Sequence, residues 1–406
     1  RSSHILGEGK MHMNCARLAC VAGTLVFLVG CSGTYKVGQE ATNGGGSPAT
    51  SGGESSSVAG ASVASAGDAN GDTPSGGAPN GVGGGEISSA GTAPLEGTGG
   101  DGRALTPPIV YCGQTLPTFT STIALAAPQL VWTRVQLFLL GATSGSPPML
   151  PATTTRQWAG SLVDSMLDSL KTTSAPGLTN FVNVWWPGTP NAEAWAALFG
   201  DSKGTLTDLL TTTSVTNPGS GVLTDLAVLV QTDISLRGIF VNEHLRCKQV
   251  PPPPPGIPAL GPEAPGQTRR AQLEQAVAVP TCTICHSLMD PIGDSLENYD
   301  TVGMFNTLDN GLPIDTAGTL LATDAFANDI TFANVNELGE KLAQECEVSQ
   351  CLTQQLLADA EASAKLPATG SANPQAVAQI AYASPSGKLR DLIRNIVESD
   401  TFLRAK

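Results

Sequence analysis

The sequence predicts a mainly α-helical protein in which an export signal and a disordered Gly/Ser/Ala linker precede helical units divided by a proline-rich spacer. Three observations predict it. Apolar residues recur at helical spacing in several segments beyond residue 106. Strand-like alternation is weak throughout. Between about Lys36 and Gly102 the chain is almost entirely Gly, Ser, Ala, Thr and Asn, with few apolar side chains larger than Val. Such a stretch cannot bury enough surface to offset the entropy of ordering.

At 406 residues the chain has room for two or three compact units. Gly (46) and Pro (29) are abundant and aromatics make up only 5%, so core-forming material is thin and part of the length is linker. The formal charge of −14 excludes a nucleic-acid partner, which would require a basic stripe to neutralise phosphates.

Met11 and Met13 are plausible translation starts, and residues 1–10 are set aside. A short positive segment, Asn14-Cys15-Ala16-Arg17, leads into an apolar run from Leu18 to Val29, too short to span a bilayer. The run ends Leu28-Val29-Gly30-Cys31, the pattern of a bacterial lipobox, with Cys31 as the lipidated residue. An ordinary secretory peptide or a buried apolar helix is the competing reading. Residues 11–30 are thus the expected lipoprotein signal peptide and 31–105 a lipid-anchored low-complexity linker. Ser32 is not the Asp that retains many lipoproteins in the inner membrane, so the expected location is the cell envelope, at the outer membrane, facing the periplasm or the cell surface.

Residues 106–250 read as a helical domain. Pro128 to Gly141 forms one helix with Pro at its start and Gly at its stop. Arg134 within it marks a core helix rather than a membrane span. Further helices are predicted at Thr155–Leu170, Ala192–Leu198 and Thr224–Val230, with Trp158, Trp185, Trp186 and Trp195 as core anchors. Pro251 to Pro255 opens a polyproline spacer over 251–267. Thr268 caps a helix over Arg269–Val279 that Pro280 closes. Two amphipathic stripes follow, Val335/Leu338/Leu342 and Leu389/Leu392/Ile393/Ile396/Val397.

The segment with chemistry is Cys282-Thr283-Ile284-Cys285-His286, the C-x-x-C-H pattern of covalent haem c attachment. Two thiols one helical turn apart match the spacing of the haem vinyl groups, and His286 directly after them is placed to ligate the iron. Two rivals stand beside this reading. Thiol–disulfide exchange uses the same C-x-x-C, although no thioredoxin-like βαβ pattern surrounds it here. Zinc could be held by Cys282, Cys285, Cys346 and Cys351. Setting aside the signal, the lipidated residue and the haem pair leaves Cys112, Cys247, Cys346 and Cys351, an even number that two disulfides of unknown pairing would satisfy.

The run Leu236-Arg237-Gly238-Ile239-Phe240-Val241-Asn242-Glu243-His244-Leu245, the prolines, the C-x-x-C-H motif, Met289-Asp290-Pro291-Ile292-Gly293 and Leu296-Glu297-Asn298-Tyr299-Asp300 together resemble the planctomycete-type cytochrome c domain of planctomycetes and myxobacteria. Asn310 to Gly318 looks like that family's next motif. Cys351 to Leu357 and Leu392 to Asp400 resemble the small helical domain that follows it. The resemblance implies a small helical cytochrome c-like haem domain over 268–331 and a C-terminal helical domain over 332–406. The implied protein binds one haem through Cys282, Cys285 and His286 and passes electrons to an unidentified redox partner, as a carrier or redox module in preference to a stand-alone enzyme. Family members often carry a His where this chain has Ala276, which leaves the second axial position to Met304 or to an open iron. Met289 reads as a packing residue and His244 as structural. Asp290, Asp294, Glu297 and Asp300 read as a solvated acidic face. The alternatives are a non-haem structural or interaction lipoprotein with zinc or disulfides at its cysteines, and a peroxidase-like haem enzyme.

Overall fold

The computed structural model describes residues 109–116, 123–170, 175–212, 219–257, 260–322 and 328–405. The expected signal peptide, Cys31 and the whole 31–105 linker lie outside the described residues. What is described falls within one unit, Thr92–Lys406, and is mainly α-helical, as predicted.

A two-residue hairpin comes first, β1 (Val110–Tyr111) paired antiparallel with β2 (Gln114–Thr115). Helix α1 (Pro128–Leu140) has Pro at its first turn and ends at Gly141, whose φ of 69° lies in the left-handed region. Helices α2 (Arg156–Leu170), α3 (Pro176–Trp185), α4 (Ala192–Gly200) and α5 (Leu206–Thr211) follow. The predicted helix at Thr224–Val230 is two pieces, a 3-10 turn at Gly221–Thr224 and a single turn α6 (Leu226–Leu229). Asp225 divides them because its side chain accepts from the Ala227 N–H, a cap that starts a new helix.

Helix α7 (Ile234–Leu245) is capped by Asp233 and α8 (Arg269–Ala276) by Thr268. Pro280 does not close α8. It opens α9 (Pro280–Asp294), where its missing N–H costs nothing. Two more strand pairs follow, β3 (Leu308–Asp309) with β4 (Leu312–Pro313) and β5 (Gly318–Leu320) with β6 (Ile330–Phe332). The chain ends in α10 (Val335–Leu342), α11 (Cys346–Ser363), α12 (Pro374–Tyr382), α13 (Leu389–Glu398) and α14 (Asp400–Leu403).

One continuous apolar core takes residues from Ala126 to Leu403. Trp185, Trp186 and Trp195 are buried in it and Trp158 packs at its edge, as the sequence suggested. Two buried charged side chains tie separate parts of the chain together. Arg134 is buried because its Nη1 donates to the carbonyls of Phe402 (2.7 Å) and Arg404 (3.0 Å), fastening the C-terminal residues to α1. The buried Asp225 carboxylate accepts from Thr189 Oγ1, Asn191 Nδ2 and Trp195 Nε1 at 2.8 to 2.9 Å. No described helix is long and apolar enough to cross a membrane.

Two disulfides join distant parts of the chain, Cys112 to Cys346 and Cys247 to Cys351. They use the four cysteines left over in the sequence count above. Both land on α11, which draws the N-terminal hairpin and the segment after α7 onto one helix.

Candidate functional site

Helix α9 carries the C-x-x-C-H motif, and α7 positions it. The backbones of the two helices touch at two glycines. A Cβ added at Gly238 of α7 would lie 1.9 Å from the Met289 carbonyl oxygen, and one added at Gly293 of α9 would lie 1.9 Å from that of Ile234. Glycine at both places is what permits the crossing. Asn242 Nδ2 fastens the contact by donating to the Leu288 carbonyl at 3.0 Å.

Cys282 and Cys285 lie on the first two turns of α9 as free, half-buried thiols. His286 follows. Its Nδ1 is 2.7 Å from Asp290 Oδ2, one turn further on. Ser235 of α7 donates to Asp290 Oδ1 at 2.7 Å, and its hydroxyl is 3.4 Å from His286 Nδ1. The carboxylate therefore fixes the ring through Nδ1 and leaves Nε2 as the nitrogen turned away from it. Chemically, the arrangement is an oriented imidazole beside two thiols.

Below His286 the acidic run is not the solvated face expected. Asp290 and Asp294 are 9% and 5% exposed. Burial raises the Asp290 carboxyl above its ordinary range, opposed by Ser235 and His286. Burial also pushes Asp294 up to about 8 despite Arg270 at 3.6 Å, and Glu297 up to about 7 despite Arg237 at 3.7 Å. Arg237 itself is occupied by the carbonyls of Gln231, Leu296 and Leu229. Asp300 is the exposed member. It accepts from the N–H groups of Val302 and Met304, shaping the turn after α9.

The other predicted site residues are not gathered here. Met304 is 63% exposed on that turn, Met289 is buried, and His244 stacks on Phe240 with ring centroids 4.2 Å apart. Cys31 lies outside the described residues. Sequence reasoning missed Ser235 altogether. Asp290 was read as part of a solvated face, and the signal that could have paired it with His286 is their four-residue spacing.

The expectation of covalent haem c is corrected, and with it the cytochrome c, metal-binding and electron-transfer reading. Among the described residues no group of three or more His, Cys, Asp or Glu side chains assembles to hold a metal ion. The physical reasons are local. Met304 is held on an exposed turn, and the cysteines outside the motif are oxidised in pairs and so are not gathered with Cys282, Cys285 and His286. The four-sulfur zinc site fails for the same reason, because Cys346 and Cys351 are bonded to Cys112 and Cys247.

A family model described as PSCyt3, a protein of unknown function (DUF1588), matches residues 218–309, less than a quarter of the chain. The match ties the chain in general terms to the planctomycete and myxobacterial family of cytochrome-type domains of unknown function. Comparison with curated proteins and with solved structures found no match.

Proposed function

We propose that this chain is a non-haem structural or interaction protein of the bacterial cell envelope, anchored by lipid at Cys31 and carried away from the outer membrane by the 31–105 linker. The observation that carries this reading is the pair of disulfides on α11, which close separations of 234 and 104 residues. Bonds of this kind persist in oxidising compartments outside the cytoplasm, which agrees with the lipobox and tether. Their work is mechanical: they keep the N-terminal hairpin and the end of α7 seated on α11. Acidity leaves no basic face for nucleic acid, so the partner is the membrane through its lipid anchor, with protein contacts on the folded part.

The test is to produce the chain with its own signal in an exporting bacterium that also has haem-attachment machinery. The membrane fraction is then analysed by intact mass, thiol labelling and absorption spectroscopy. The expected product is a lipidated chain with Cys112, Cys247, Cys346 and Cys351 oxidised, Cys282 and Cys285 open to alkylation, and no visible absorption. A tetrapyrrole mass on Cys282 and Cys285, or alkylation of all six cysteines without prior reduction, would overturn it.

A further inference from the structure

Among the described residues one pair of thiols stays free, Cys282 and Cys285, both half-buried on the first two turns of α9. Helix geometry decides which cysteines can pair along a single helix. Residues three apart have Cα atoms about 5 Å from one another, within the range a disulfide spans. The five-residue step from Cys346 to Cys351 on α11 separates the Cα atoms by about 9 Å, too far to bridge. Each of those two takes a distant partner instead. Cys282 and Cys285 can close on each other, and no distant part of the chain has to move for them to do so.

A bond across so short a loop removes little freedom from the unfolded chain, because loop-closure entropy grows with loop length. It adds little stability beside the bonds that close separations of 234 and 104 residues. Such a pair is suited to exchange rather than to bracing.

Exposed apolar side chains flank the thiols. Ile284 is 71% exposed, Val279 52% and Leu288 40%. Ile284 and Leu288, four residues apart, share one face of α9, and Cys285 sits roughly 60° around the axis from Leu288. Nine residues separate Ile284 from Gly293, which places this strip on the side of the helix away from the contact with α7. Large apolar side chains standing out beside two thiols give an extended apolar polypeptide a surface to lie on.

We propose that Cys282 and Cys285 are a reversible dithiol that reduces disulfides in extended, apolar polypeptide segments. One thiolate attacks a sulfur of the partner's disulfide, forming a mixed disulfide and releasing the partner's other sulfur as a thiolate. The second cysteine then attacks the chain's own sulfur in the mixed disulfide. That step closes the Cys282–Cys285 bond and frees the partner's remaining sulfur. Two protons pass from the chain's thiols to the partner's, and the partner gains the two electrons that the chain loses. A second dithiol returns the pair to its reduced form by the same steps in reverse. Exchange chemistry belongs to the thiol pair and not to one fold, so it does not require a thioredoxin-like βαβ unit. The proposal rests on the reading that α9 carries no covalent group.

The test uses the full chain after mild reduction, its intact mass checked first. The protein is then equilibrated in glutathione buffers of graded ratio, quenched with acid and mapped by thiol labelling. Cys282 and Cys285 are expected to lose their labels together over one range of ratios, as an intramolecular bond. Two synthetic disulfide-linked peptides follow, one with Leu and one with Ser flanking its cysteines. The Leu peptide is expected to be reduced several-fold faster. Ile284→Ser combined with Leu288→Ser should remove that preference while leaving exchange with glutathione unchanged, and Cys282→Ser or Cys285→Ser should each stop at a mixed disulfide with the peptide. A tetrapyrrole mass on α9 would overturn this proposal and the non-haem reading together. A bare chain that forms no Cys282–Cys285 bond at any ratio, or that reduces both peptides at equal rates, would overturn this proposal alone.

Discussion

Helices α9 and α11 each carry two cysteines, yet only α11 spends them on covalent bonds. On α11 the pair is five residues apart, which turns the two thiols roughly 140° from one another around the helix axis. Each therefore meets a different part of the chain, Cys112 on one side and Cys247 on the other. On α9 the pair is three residues apart, roughly 60° around the axis, and both thiols stay free. Spacing along a helix sets where a thiol points, and the fold decides what waits there. Helix α11 is held by bonds, whereas α9 is held by glycine-to-backbone contact with α7 and by buried ion pairs.

The largest effect should come from cutting the covalent half. Replacing Cys247 and Cys351 together with Ser removes a cross-link over 104 residues and should cost about 4–5 kcal/mol in denaturant unfolding. The matching replacement of Cys282 and Cys285 should change stability by less than about 1 kcal/mol. Equal losses from the two pairs would erase the distinction between the helices.

Next in size is a wedge between α9 and α7. Gly238→Ala or Gly293→Ala places a methyl where a carbonyl oxygen already sits, and each should destabilise by about 1–3 kcal/mol. A thermal melt unchanged in both variants would show that the helices can separate at no cost.

The smallest effect lies in the ionisable groups beneath α9. Asp294 and Glu297 have folded values of about 8 and about 7, above those of the unfolded chain. The folded state therefore holds more protons between roughly pH 4 and 8, and stability falls as pH rises through that window. Asp294→Asn should flatten the fall and gain on the order of 1 kcal/mol at pH 8 relative to the parent. Chemical denaturation at pH 5 and pH 8 measures it, and an equal pH dependence in parent and variant would remove Asp294 as its source.

Much of the helical framework was legible. The Pro128 and Gly141 signals bound α1, and the stripe from Leu389 to Val397 became the buried face of α13, because local chemistry sets caps and periodicity. The burial of Asp290 and Asp294 was not legible. Their partners Ser235 and Arg270 lie on other helices, and nothing in the run Asp290 to Asp300 announces that α7 will cover it. Cysteine pairing was hidden for the same reason, since two bonds among four residues leave three arrangements open. The C-x-x-C-H motif was the plainest local signal, and its thiols lie free on α9. The chemistry assigned to them depended on what the rest of the fold brought alongside, which a five-residue pattern does not contain.

The Cys112–Cys346 bond also sets how load would travel through the molecule. Tension applied between a point before Cys112 and a point after Cys346 crosses directly from one sulfur to the other. The chain between them, spanning a separation of 234 residues, is left slack. Helices α1 to α10, including the α7–α9 crossing, lie within that shielded loop. A pull on the chain before Cys112 would reach the C-terminal helices while the thiols and imidazole of α9 stay out of the line of force.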